Sequence, residues 1–479
     1  MKQKKLFILA AAAALLAACS SDDEITAEKQ AAQQAAQQEV GFSAYVNRGT
    51  TRAGKGGELV TSGSTGSQIT LLSKGFGVFA YYTDNQPYSE TSIPNFMYNE
   101  KVTGTGSSAP FTWEYSPIKY WPNEFGSKAI SEGQDRLTFF AYAPWVEVTP
   151  ETGIATETSA TGIIALTRNT ATGDPYVKYY VDFNPTKSVD LCYGVANAAF
   201  NSSVDGTNNN IEVGKPYIDV IKPKTGDKIT FDFKHALAAL NVTIDADVDV
   251  VSHADGNVND LTKIWVRSVT FNGFTDKGML NLNSEASADP YYPNWYDLSG
   301  NNKIGSGSVT IYDGRRDGKE GQTGATMSNE TPNALNPVLI QNEPYKTASL
   351  PTKLELSTST TVGVQHTPVN LFASSTVTDP IFVIPTDDNL EVTIVYDIET
   401  ADSKLSTYLS DGATKGSTIE NKITKTIQLS SEDFKLQAGK KYTIALHLGL
   451  TSVKFDASVT AWEDKTADKT DLPINSTTP

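Results

Sequence analysis

RLTFFAYAP, residues Arg136 to Pro144, is the stretch whose reading decides the fold. Leu137, Phe139 and Ala141 share one face of an extended chain, and Phe140 and Tyr142 share the other. Apolar side chains on both faces over so short a run predict a central sandwich strand, covered on both sides. Working outward, GFGVFAYY (Gly75 to Tyr82) reads as a second buried strand. Further upstream, VGFSAYVNRGTTRAG (Val40 to Gly54) places Val40, Phe42, Ala44 and Val46 on one face and Gly41, Ser43, Tyr45 and Asn47 on the other. That period of two predicts a short, half-buried strand. The basic, glycine-rich segment after it, Arg48 to Gly57, offers Arg48 and Arg52 to a trypsin-like protease.

Downstream, Val189 to Tyr193 is a short buried segment, and 198–210 reads as a polar loop. In ITFDFKHALAALNVTI (Ile229 to Ile244), Phe231, Phe233, His235 and Leu237 share one parity, whereas Leu240, Val242 and Ile244 share the other. A slip of one residue at Ala238 or Ala239 reconciles them, and this stretch is the expected join between two domains. Lys263 to Phe274 and Gly278 to Leu282 read as a hairpin around Thr275-Asp276-Lys277-Gly278. Ile381 to Pro385 and Leu390 to Ile398 are further strands. Tyr442, Ile444, Leu446, Leu448 and Leu450 alternate, turn at Thr451-Ser452, and return as Val453, Phe455, Ala457 and Val459. With amphipathic helix expected nowhere in this part of the chain, the class is all-β, two sandwiches in series: 40–228, with its first strand at 40–47, and 229–479, with a polar tail at 463–479.

Composition agrees. The 35 Gly, 22 Pro, 21 Tyr and 19 Phe favour strands and turns over helix. The net charge of −16, which becomes −19 if Lys2, Lys4 and Lys5 are lost with a leader, argues against nucleic acid as a partner, because phosphate binding needs a basic footprint.

Residues 1–19 read as a secretory signal, with those lysines as the basic region and Leu6 to Leu16 as the apolar one, too short for a spanning helix. It ends in Leu16-Ala17-Ala18-Cys19, which resembles the lipobox of bacterial lipoproteins. That resemblance implies lipidation of Cys19, whose acyl chains would anchor the protein at about 0.8 kcal/mol per buried methylene. Ser20 to Glu24 is similar to the acidic export tag of surface-exposed outer-membrane lipoproteins, and 20–39 reads as a surface tether. Cys192 is the second and last cysteine, which excludes a disulfide framework and a cysteine-based metal cluster.

The landmarks Lys119-Tyr120-Trp121-Pro122, Leu137 to Pro144, Asp190-Leu191-Cys192-Tyr193, Phe231 to Leu237, Ala438 to Tyr442 and Val453 to Trp462, together with the lipobox and the Arg-Ala bond, resemble in this order the fimbrillin-like lipoproteins of Bacteroidetes, subunits of type V pili. The resemblance implies two transthyretin-like Greek-key β-sandwiches on the outer face of the outer membrane and in the fimbrium. It further implies cleavage by an arginine-specific protease in the N-terminal loop, with Arg52-Ala53 the best-matching bond and Arg48-Gly49 the second. The first strand then leaves, and a strand from another pilus subunit fills its groove, which is β-strand addition. The polar tail after Trp462 lacks the alternation of a donor strand, so tip, accessory and anchor roles stand beside that of a stalk subunit.

No catalytic constellation is recognisable, and no enzyme, cofactor or metal is expected. His235, His253, His366 and His447 lack metal-ligand spacing. His235 is expected to be structural, its ring satisfied by backbone at the domain join. Asp245, Asp247 and Asp249 alternate without the glycine and distal glutamate of a calcium loop, and read as a solvated edge. Tyr291, Tyr292, Trp295 and Tyr296 leave two readings open. They contact a ligand, a glycan or a host or bacterial surface protein, or they fold back as the core of a long loop. The first would suit a lipid-anchored binding protein that never polymerises.

Overall fold

The structure, a computed structural model, describes residues 38–46, 59–60, 69–106, 111–122, 135–156, 162–182, 188–197, 211–223, 228–246, 262–298, 307–313, 354–355, 369–371, 380–386, 389–407, 415–427, 435–448, 453–461 and 469–470. The leader, Cys19, the tether up to residue 37, Arg48, Arg52, Ala53, the 198–210 loop, Asp247, Asp249, His253, His366 and the Thr451-Ser452 turn lie outside them. The chain is an all-β sandwich protein. Among the described residues the single helix is the four-residue turn Leu71–Lys74.

Leu137–Ala143 is buried along its whole length and runs through the middle of an eight-stranded sheet. Its neighbours are antiparallel: Phe76–Tyr82 on one side, Cys192–Ala196 and Tyr217–Val220 on the other. Alternation then sorts the side chains into two cores. Phe139, Ala141, Phe76 and Val78 join Phe231 and Phe233 in one cluster. Phe140, Tyr142, Phe79 and Tyr81 point the other way, into a cluster that continues through Leu237 and Leu240 to Phe382, Tyr396 and Leu446. The second face of this sheet therefore shares its core with the C-terminal half.

Ile229–His235 belongs to the eight-stranded sheet, paired with Cys192–Ala196 and with Phe42–Val46. Ile229–His235 thus shares a sheet with strands that precede residue 229. The chain leaves this sheet at Ala236-Leu237, and Ala238–Ala246 starts the next one, parallel to Lys440–Leu448. The break in parity marks the place where side chains exchange one core for the other.

The expected hairpin of 263–282 does not form. Thr262–Phe274 pairs with Leu390–Ala401 and Gly307–Asp313, whereas Lys277–Asn281 crosses to Tyr176–Tyr180. The resulting four-stranded sheet, Trp295–Tyr296, Lys277–Asn281, Tyr176–Tyr180 and Ile163–Leu166, takes two strands from each half of the chain. At the C-terminus Lys440–Leu448 and Val453–Ala461 pair in the antiparallel register that their alternation predicts. Lys469–Thr470 adds to the outer side of that pair.

Candidate functional site

The first strand is seated as a plug. Phe42–Val46 runs parallel to Ile229–Phe233, in the register Phe42 to Ile229 through Val46 to Phe233. Val40, Phe42, Ala44 and Val46 are all buried. Phe42 is the most heavily embraced of them: its ring lies 6.3 Å from Phe76, 6.1 Å from Phe139, 6.2 Å from Phe231 and 5.3 Å from Tyr115. Tyr45, on the opposite face, is 40% exposed.

A clasp holds the entry of this strand from the other side. The Val40 N–H donates to the Lys119 carbonyl at 2.9 Å, and the Trp121 N–H donates to the Gln38 carbonyl at 3.0 Å. The Tyr115 hydroxyl reaches the Val40 carbonyl, and burial pushes its pKa up to about 12. Sequence reading takes Lys119 to Pro122 only as a landmark of the resemblance and misses this pairing. Its signal was the aromatic pair Tyr120-Trp121 ahead of a proline, of which Trp121 is buried against Phe139.

Burying Val40, Phe42 and Val46 contributes roughly 5–9 kcal/mol gross, at about 1.5–3 kcal/mol for each large side chain. Whole domains are stable by only about 5–15 kcal/mol. Loss of this strand would therefore remove a large share of the stability open to such a sandwich.

The aromatic loop is divided by the fold. Trp295 is 9% exposed, packs 6.5 Å from the Tyr179 ring, and donates its indole N–H to the Ala236 carbonyl. Tyr291 packs against the core, with its ring 6.4 Å from Tyr193. Tyr296 is half-buried in its short strand. Tyr292, at 58% exposed, projects outward, its hydroxyl accepting a 3.3 Å hydrogen bond from the Gln437 amide.

His235 is buried, but its ring meets side chains rather than backbone alone. Its Nδ1 lies 2.6 Å from Asp190 Oδ2 and 3.6 Å from Cys192 Sγ. Sequence reading missed this convergence because Asp190 and His235 are 45 residues apart along the chain.

The fold is similar to that of a fimbrial protein. A fimbrial protein from Bacteroides vulgatus, known from its crystal structure, aligns over 89% of this chain and 99% of its own, with a TM-score of 0.51 and 19% identity. In sequence, 239 residues are 28% identical to the fimbrium subunit Fim1C of Phocaeicola vulgatus, covering 48% of this chain and 49% of that protein. The chain is thus similar to fimbrial subunits, and it spans about half the length of the curated relative it matches. No family model matches it.

Proposed function

We propose that the chain is a structural or tip subunit of a cell-surface fimbrium serving adhesion, and not an enzyme. It is anchored in the outer membrane through lipid on Cys19, and it assembles by strand exchange after cleavage at Arg52-Ala53. The observation that carries this reading is the seat of the first strand. Its apolar face is buried, it joins the sheet through one short parallel ladder, and it leads directly to the segment bearing Arg48 and Arg52. A strand with those properties is replaceable, because its groove offers main-chain partners and apolar slots to any complementary segment. N-terminal sequencing of the protein recovered from the cell surface tests the reading. Ala53 as the first residue supports it, and lipidated Cys19 as the sole N-terminus overturns assembly by strand exchange.

A second reading, a lipid-anchored binder of a glycan or host ligand that never polymerises, is favoured by the exposure of Tyr292. It predicts binding on a broad glycan array that is lost in Tyr292→Ala. An array without signal removes this reading.

A further inference from the structure

At the end of the eight-stranded sheet next to the Ala236-Leu237 crossover lies a cluster that fimbrial assembly does not use. Cys192 and His235 are direct partners in the antiparallel ladder, and Asp190 precedes Cys192 by two residues. Asp190 and Cys192 are fully buried, and His235 is 5% exposed. We propose that Asp190 Oδ2, Cys192 Sγ and His235 Nδ1 form a binding site for one divalent transition-metal ion of the zinc type.

Geometry is the first support. The three ligand atoms lie within 4.8 Å of one another. Tetrahedral zinc, with bonds of about 2.3 Å to sulfur and about 2.0 Å to nitrogen and oxygen, sets sulfur about 3.5 Å from each of the other two ligands. The observed separations are 3.5 Å from Sγ to Asp190 Oδ2 and 3.6 Å from Sγ to His235 Nδ1. Asp190 and His235 approach more closely, at 2.6 Å, the length of a hydrogen bond in which one proton is held between them. A metal in place of that proton requires this one edge to open by about 0.7 Å.

Charge is the second support. One thiolate, one carboxylate and one neutral imidazole cancel the two positive charges of a divalent ion, so the loaded site is neutral in an apolar core that penalises isolated charge. A monovalent ion would leave a net negative charge, and magnesium or calcium would take oxygen ligands in place of sulfur. On uptake the thiol proton passes to solvent, and the imidazole proton moves from Nδ1 to Nε2, so binding releases one proton. The burial of all three ligands places loading during folding.

Neither cysteine number nor histidine spacing along the chain reveals such a site. A mixed site needs one cysteine, and its ligands meet only across the ladder.

The test uses the full-length chain carrying Cys19→Ser, in which Cys192 is the sole thiol, refolded with Co²⁺. The expected result is about one cobalt per chain after desalting, a near-ultraviolet thiolate-to-cobalt charge-transfer band, and loss of both in the further variant Cys192→Ser. Displacement of the band by Zn²⁺, with a rise in the unfolding midpoint, supports the assignment. The band on the Cys19→Ser chain is decisive even if Cys192→Ser fails to fold. A folded Cys19→Ser chain that retains no cobalt, or retains it without the charge-transfer band, overturns the proposal.

Discussion

The Tyr115 hydroxyl donates to the Val40 carbonyl oxygen across 2.8 Å, tying the first strand to a segment 75 residues away. The Tyr115 hydroxyl oxygen in turn accepts the Lys119 N–H at 3.0 Å, so one phenol serves both sides of the clasp. Tyr115→Phe removes both bonds while keeping the ring against Phe42. The expected loss is about 1–3 kcal/mol, because two partly buried backbone groups lose their partner. Urea unfolding of the uncleaved chain checks it, as a lower midpoint at unchanged slope.

Phe42→Ala should destabilise the chain by about 3–5 kcal/mol, since it empties a slot walled by Phe76, Phe139 and Phe231. Tyr45→Ala, on the exposed face of the same strand, should change stability by no more than about 0.5 kcal/mol. Equal effects in denaturant melts would mean that the strand is not seated as described.

Trp295→Ala should cost about 3–5 kcal/mol, because the indole fills the core and satisfies the Ala236 carbonyl. Tyr292→Ala should stay within about 0.5 kcal/mol. Thermal and chemical denaturation of the two variants side by side separates core from surface in this loop.

Alkaline unfolding should be steep. Burial raises Tyr98 and Tyr115 from the ordinary 10.0 to about 12, and raises Tyr81, Tyr142, Tyr193 and Tyr217 as well. A tyrosine held protonated in the folded state contributes stability that is complete below the unfolded pKa and is lost as pH rises through the folded one. Stability should therefore be intact below about pH 10 and decline as pH rises through about 12. Tyrosinate absorbance and far-ultraviolet circular dichroism followed together test this. Ionisation of all the tyrosines near pH 10 without loss of strand signal would contradict it.

What could be read from the sequence was what depends on neighbours along the chain. Leu137 to Ala143 and Tyr442 to Leu448 carry their burial in their alternation, and the structure places both as read. The choice of strand partner carries no such local mark. Thr275 to Gly278 has turn chemistry, yet Lys277–Asn281 pairs with Tyr176–Tyr180. Likewise the parity break near Ala238 revealed a change of core, but only the pairing of Ile229–His235 with Cys192–Ala196 shows to which sheet the earlier half belongs. Asp190, Cys192 and His235 were each read alone, as parts of strands, because their meeting is a property of that ladder.

The four-stranded sheet shared by the two halves bears on how such a subunit would carry tension. Five residue pairs, from Lys277–Tyr180 to Asn281–Tyr176, bridge the halves side by side. Pulling the halves apart must shear these pairs as well as straighten the covalent crossover at Ala236-Leu237. In a fibre under flow, the molecule would respond as one stiff link, not as two beads on a string.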